Sequence, residues 1–165
     1  MIEIREERPG DVDAVRGVNL AAFEQDQESV LVDALRGAGA AMLSLVAVVD
    51  GEVVGHVLYS PASIGTRSGA ALAPMAVLPD FQRQGIGTRL VETGNRMLKD
   101  SGCPFVIVVG HPRYYPRFGF VPARPLGITC PWEVPDDVFM VLVFDAVAMQ
   151  GVSGLAKYHD QFSNV

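Results

Sequence analysis

Cysteine, basic charge and long apolar runs are all scarce in this chain, and each scarcity narrows what it can be. Only two cysteines, Cys103 and Cys130, occur in 165 residues. They lie far apart and form no Cys-x-x-Cys, so free thiols in a reducing compartment are the simplest reading. Thirteen Lys and Arg against nineteen Asp and Glu leave a net charge of -6. That is the wrong sign for a nucleic-acid face and weakly suits a cationic or amine substrate. No stretch reaches the roughly 20 apolar residues of a membrane span. The opening, Met1-Ile2-Glu3-Ile4-Arg5-Glu6-Glu7, is charged from its third residue and lacks the apolar segment of a signal peptide. A cytoplasmic protein with no nucleic-acid or membrane partner is therefore expected. His111, His159 and the two cysteines show no metal-ligand spacing, so no metal is expected either.

What is present is a globular composition, 49% hydrophobic and 19% charged, with no repeat or linker. Ile2 to Arg5 reads as a first strand. Pro9-Gly10-Asp11 breaks it, and Asp11 is placed to cap a helix carrying Val12, Val15, Val18 and Ala22. A second helix is expected from Gln25 to Arg36, with Val30, Leu31, Ala34 and Leu35 on its apolar face and Gly37 as its stop. Asp50-Gly51 between Leu43–Val49 and Glu52–Tyr59 predicts a hairpin. Pro61 to Ser68 reads as a loop and Ala70 to Val77 as a strand, broken or splayed at Pro74, which has no ladder donor. Ile86, Leu90, Val91, Met97 and Leu98 form a helical stripe over residues 84–100. Phe105 to Val109 reads as a buried strand. A short helix before Gly119, a short strand near Ile128 and a final strand over Val138–Val147 complete the order. Consecutive hairpin strands followed by strand–helix–strand predict an α/β protein with a mixed sheet and helices on both faces.

The most informative residues are Gln82-Arg83-Gln84-Gly85-Ile86-Gly87, between a strand and a helix. The first N–H groups of a helix have no internal partner and lie at its positive end. Glycines there let an anion approach the bare amides. A P-loop would need a lysine after the glycines, and none follows. A dinucleotide fingerprint would need a third glycine where Leu90 stands, and a shorter link from Val77.

The remaining pattern, Gln-x-x-Gly-x-Gly, resembles the acyl-CoA pyrophosphate loop of the GCN5-related N-acetyltransferases (GNAT). Its context strengthens the likeness. Met75-Ala76-Val77-Leu78-Pro79 resembles the central strand and Val-x-Pro link of that family, and Tyr115-Pro116-Arg117-Phe118-Gly119-Phe120 its Tyr-x-x-x-Gly-Phe signature. Ile4-Arg5 with Pro9-Gly10-Asp11 fits the family's opening. The likeness covers about residues 1–147, which are expected to form one domain, with 148–165 a tail packed on that domain or on a partner subunit. Tyr114-Tyr115 before Arg-Phe-Gly-Phe is similar to a bacterial branch of predicted N-acetyltransferases called YhbS-like.

The resemblance implies a mixed, mostly antiparallel GNAT sheet and acetyl-CoA as co-substrate. Transfer of its acetyl group to a primary amine would go by direct attack in a ternary complex. It assigns backbone amides of Gln84, Gly85, Ile86, Gly87 and Thr88 to the pyrophosphate of coenzyme A, with Gln82 and Arg83 flanking it and Arg89 one helical step on. Met75, Ala76 and Val77 would pair with the pantetheine arm. Tyr115 would be the general acid that protonates the leaving thiolate. The general base is less determined: Glu24, Asp26, Glu28 and His56 are candidates, and Glu28 is preferred because the segment between the first two helices borders the acceptor cleft in the family. Trp132 either lines an acceptor pocket or plugs the core. The acceptor amine is not named by these residues. Leu155, Tyr158 and Phe162 are spaced for a tail helix, which leaves a homodimer open. A non-catalytic acyl-CoA-binding module on the same fold is the competing reading.

Overall fold

The computed structural model describes residues 1–164. Its chain divides into two compact units. Strands β3 (Glu52–Ile64) and β4 (Arg67–Val77) and helix α3 (Ile86–Asp100) contribute a part to each.

The first unit holds Met1–Ser60, Ala73–Gly94 and the residues from Asp160 on. Strand β1 (Ile2–Glu6) runs antiparallel to β2 (Leu43–Val49), and β2 runs antiparallel to β3. The β2–β3 turn is the predicted one: Asp50 and Gly51 both have positive φ, 50° and 81°, as a type I′ turn requires. Helices α1 (Val12–Phe23) and α2 (Gln27–Gly37) follow β1. Strand alternation sends Val46 and Leu58 to one face, where they join a core with Val15, Leu31, Val32 and Leu35 of the two helices. Ala47 and Gly55 point to the other face. A Cβ at Gly55 would lie 3.1 Å from Leu90, 3.2 Å from Ile86 and 3.3 Å from Ala47. Helix α3 therefore seats on β3 through a glycine gap, and the first unit has helices on both sheet faces.

The second unit holds Pro61–Leu72 and Asn95–His159. Its centre is β5 (Phe105–Val109) paired antiparallel with β8 (Phe139–Val143), which also carries the short β6 (Val121–Pro122). Strand β4 joins β5 in parallel at Ala70↔Val106 and Ala71↔Ile107. The register stops there, three residues before Pro74. Strand β7 (Ile128–Thr129) runs parallel to β9 (Gly154–Tyr158), which pairs antiparallel with Ala62–Ile64 of β3. Phe105, Ile107, Phe139 and Val141 form the heart of this unit's core.

Several expectations are corrected. The Pro61–Ser68 loop is mostly strand, because β3 continues to Ile64 and β4 begins at Arg67, leaving a tight turn at Gly65 with φ 56°. On α2 the buried positions are Ser29, Leu31, Val32 and Leu35, while Val30 is half exposed. Gly37 is the last helical residue, and Gly39 makes the left-handed turn. The final strand ends at Val143, because Phe144 and Asp145 turn their N–H groups to the Pro104 carbonyl. The tail forms strand β9 and a 3-10 turn over Asp160–Asn164 instead of a helix, since sheet pairing outweighs helical spacing. Asp11 sits at the N-cap of α1 without capping it. Its carboxylate instead accepts two bonds from Arg5, at 2.7 and 3.1 Å, and one from the Arg8 N–H at 2.7 Å. These contacts hold its pKa down to about 2, the Arg5 bond contributing most. No helix among the described residues is long and apolar enough to cross a membrane.

Gly94 faces Tyr59 so closely that a Cβ there would lie 2.5 Å from the ring, and the Tyr59 hydroxyl donates to the Val91 carbonyl. Gly94→Ala is expected to destabilise the protein by about 1–3 kcal/mol through overpacking, despite alanine's better helix propensity. Urea unfolding of the variant measures this.

Candidate functional site

The loop after β4 has an unusual backbone. Pro79–Phe81 makes a 3-10 turn, Gln82 is extended, and Arg83 and Gly85 both take positive φ, 63° and 82°. A non-glycine residue in that region costs about 1 kcal/mol, so Arg83 is held under strain. A Cβ at Gly85 would meet nothing within 4 Å, so the space over it is open. The Gly85 carbonyl accepts the first helical bond of α3, from the Arg89 N–H at 3.1 Å. The N–H groups of Gln84, Gly85, Ile86 and Gly87 donate to no described residue. Arg83 and Arg89 have no acidic partner among the described residues, whereas Arg5, Arg16, Arg36 and Arg124 are all ion-paired. Four unpaired amides at a helix start, flanked by two uncommitted guanidiniums, make an anion cradle. The Gln82 amide nitrogen donates to the Val77 carbonyl at 3.0 Å and ties the loop to the end of β4.

Met75, Ala76 and Val77 form the last residues of β4, past the two-pair register with β5. The Ala76 and Val77 side chains are buried, so what these two residues can offer a ligand is backbone, while the Met75 side chain is half-buried.

Among the base candidates, Glu28 is half buried in the first turn of α2, where the Gln25 amide donates to its two oxygens at 3.1 and 3.2 Å. Glu24 takes a left-handed conformation after α1 (φ 55°) and Asp26 precedes α2, both exposed. His56 is fully buried under α1. The Asn19 amide donates to its Nδ1 at 3.2 Å, and its Nε2–H donates to Ser44 Oγ at 2.9 Å. Ser44 in turn donates to Glu7, which Arg36 holds in a two-pronged pair at 2.8 and 3.1 Å. That tautomer is the one the network permits. Burial, aided by the Arg36 charge, pushes the His56 pKa down to about 3. The ring is therefore neutral near pH 7, and its 3.7 Å approach to Glu7 is not an ion pair. His56 is structural and closed to an incoming amine.

Tyr115 belongs to the second unit. It opens a 3-10 turn ended by Gly119 at φ 97°. Its ring is buried against Tyr114, Phe118 and Phe120, with centroids 5.1–6.2 Å away. Its hydroxyl makes no hydrogen bond to another described residue. Burial first, then the neighbouring Tyr114, raises its pKa, so the phenol holds its proton across the neutral range. The residue that makes room for it is Gly110, where a Cβ would collide with the ring. Sequence reasoning missed Gly110; the signal was a glycine directly after an apolar strand and five residues before the tyrosine.

Neither thiol is activated. Cys103 donates to the Phe105 carbonyl, and burial raises the pKa of both Cys103 and Cys130. Among the described residues no three His, Cys, Asp or Glu side chains gather as a metal site would require.

A sequence model described as an acetyltransferase (GNAT) domain matches residues 40–122. Over 163 residues the chain is 35% identical to the uncharacterized N-acetyltransferase YhbS of Escherichia coli, covering 97% of this chain and 98% of that one. The chain belongs to the GNAT family of acetyltransferases. The crystal structure of E. coli YhbS in complex with CoA superposes on this GNAT chain with a TM-score of 0.94 at 34% identity, covering 98% of this chain and 92% of that one. A GNAT acetyltransferase from Brucella melitensis in complex with acetyl-CoA gives a TM-score of 0.81 at 36% identity, covering 98% of each chain. The GNAT fold, a mixed and mostly antiparallel sheet with helices, is thus established for this chain, as its strand pairings independently show.

The buried His56 makes stability of this GNAT chain pH-dependent. Its folded pKa lies below the unfolded value of 6.5, so between these two pH values the unfolded chain binds the extra proton. Stability is lost as pH falls. Between pH 6.5 and 5 the loss from this group should be about 2 kcal/mol, and a His56→Asn variant should show a shallower decline. Urea midpoints measured across that range test this.

Proposed function

We propose that this chain is a cytoplasmic N-acetyltransferase that passes the acetyl group of acetyl-CoA to a primary amine by direct attack in a ternary complex. The observation that carries the reading is the set of unpaired amides at Gln84, Gly85, Ile86 and Gly87 beside Arg83 and Arg89, in a chain whose similar solved structures hold CoA and acetyl-CoA. The amides and guanidiniums take the pyrophosphate of coenzyme A, and Thr88 continues the same helical turn. Backbone groups of Met75, Ala76 and Val77 hold the pantetheine arm as an added strand would, and one N–H polarises the thioester carbonyl.

The chemistry needs two proton movements. The amine nitrogen attacks the thioester carbon, and the carbonyl oxygen gains negative charge. The C–S bond then breaks, and the thiolate takes a proton from the Tyr115 hydroxyl, leaving free CoA and an N-acetylated product. The nitrogen loses its proton to Glu28, directly or through water. A raised pKa keeps Tyr115 protonated and ready. The two unactivated thiols support direct attack over an acyl-enzyme.

Tyr115→Phe should leave acetyl-CoA affinity unchanged, because the ring packing is kept, and lower kcat by about 10²-fold or more. Acetyl-CoA binding by thermal shift and turnover by thiol release separate the two effects. Binding without turnover in the wild-type chain, for every amine tried, would favour the non-catalytic module. Gly85→Val should do the reverse of Tyr115→Phe: it should weaken acetyl-CoA binding by about tenfold or more, by forcing a branched residue to positive φ in the cradle.

A further inference from the structure

The Tyr115 hydroxyl can serve a leaving thiolate only while its ring is held in one place, and part of what holds it faces solvent. Phe118 and Phe120 pack on the ring, and Tyr114 meets it edge-on at 5.1 Å. Tyr114 is itself only half buried. It packs on the Phe118 ring at 5.4 Å, and the exposed Arg117 guanidinium lies over its face, 4.3 Å from the centroid.

Arg117 grips Tyr114 twice. Besides covering the ring, its Nε–H donates to the Tyr114 carbonyl at 2.9 Å. That carbonyl belongs to the peptide that leads into Tyr115. The N–H of the same peptide, on Tyr115, donates to the His111 carbonyl at 3.3 Å. Arg117 therefore pins the oxygen side of this peptide plane and His111 the nitrogen side. A guanidinium can do both jobs at once, since its plane stacks on an aromatic face while its edge donates. A lysine ammonium is a point charge without that edge. Nothing acidic competes for Arg117. None of the nineteen acidic residues falls between Ser101 and Trp132, and among the described residues no carboxylate pairs with it.

Resting on the acetyltransfer reading above, in which Tyr115 is the general acid, we propose that Arg117 is a positioning residue. It fixes the Tyr114 ring and the Tyr114–Tyr115 peptide, and through them the place of the Tyr115 hydroxyl. A misplaced general acid loses rate without losing the donor, so the effect falls on kcat.

The chain has four tyrosines. Incorporated as 3-fluorotyrosine in the full chain, they give separate fluorine resonances, and Tyr115→Phe identifies the one from Tyr115. Arg117→Met keeps the stem and removes charge and donor; it should shift or broaden that resonance, and Arg117→Lys should move it less. In thiol release from acetyl-CoA with hexylamine as acceptor, Arg117→Met should lower kcat about tenfold with KM for acetyl-CoA unchanged, and Arg117→Lys should recover part of the loss. In a Tyr115→Phe background Arg117→Met should cost less than about twofold more, because no acid is left to place. The proposal is overturned if the Tyr115 resonance is unmoved in Arg117→Met, or if the loss is as large in the Tyr115→Phe background. It is also overturned if KM for acetyl-CoA rises while kcat holds, which would make Arg117 a contact of the donor. Normal turnover by Tyr115→Phe overturns the general-acid reading itself. Slow turnover by Tyr115→Phe with an unmoved resonance in Arg117→Met overturns the Arg117 proposal alone.

Discussion

Helix α3 can lie where it does because β3 offers it no side chain at Gly55 and because the helix offers Tyr59 none at Gly94. Close packing turns these two omissions into a position. Ile86 and Leu90 drop into the gap over Gly55, and the Tyr59 ring fills the one under Gly94. The first turn of α3 is thereby fixed against the sheet, and the loop that leads into it must bend sharply to arrive there. That bend puts Arg83 and Gly85 at positive φ and leaves the amides after them unpaired. The anion cradle is thus a product of helix seating, and the glycines that make it possible, Gly55 and Gly94, lie outside the loop itself.

The elements that carry the cradle were legible beforehand. Asp50-Gly51 announces its hairpin, and the stripe from Ile86 to Leu98 announces α3. The Gln82 to Gly87 pattern could be weighed against two other phosphate loops by the residues it lacks. What escaped was the use made of side chains once the chain had folded. Gln82 has the chemistry to touch a ligand, yet it spends its amide on Val77. Asp11 has the chemistry of a cap, yet Arg5 and the Arg8 N–H claim it. His56 looked like a candidate base by residue type and became a buried link between Asn19 and Ser44. For His56 the deciding partners lie 37 and 12 residues away; for Gln82 and Asp11 they lie three to six residues back across a turn whose geometry the spacing does not specify. The tail failed for a related reason: its helical spacing was real, but the free edge at Ala62–Ile64 took it as a strand.

The two units also differ in how they treat charge. In the first, carboxylates and guanidiniums are matched in pairs: Arg5–Asp11 and Arg36–Glu7 tie the segments around the helices to β1 and the residue after it, and Arg16–Asp33 ties α1 to α2. Among the guanidiniums left without such a pair are Arg83 and Arg89, beside the α3 start. In the second, ionic pairing is sparse, and aromatic packing around Tyr115 and Trp132 does the ordering.

Arg83 shows what such a loop implies for variation in the chain. Glycine at that position would relax the backbone and stabilise the fold, so selection on stability alone pulls toward it. An arginine there persists only where its charge is worth more to the organism than the strain it imposes. The strained residue is therefore a gauge of selection: among relatives that no longer bind an anion at this loop, position 83 should be the first to drift toward glycine or asparagine.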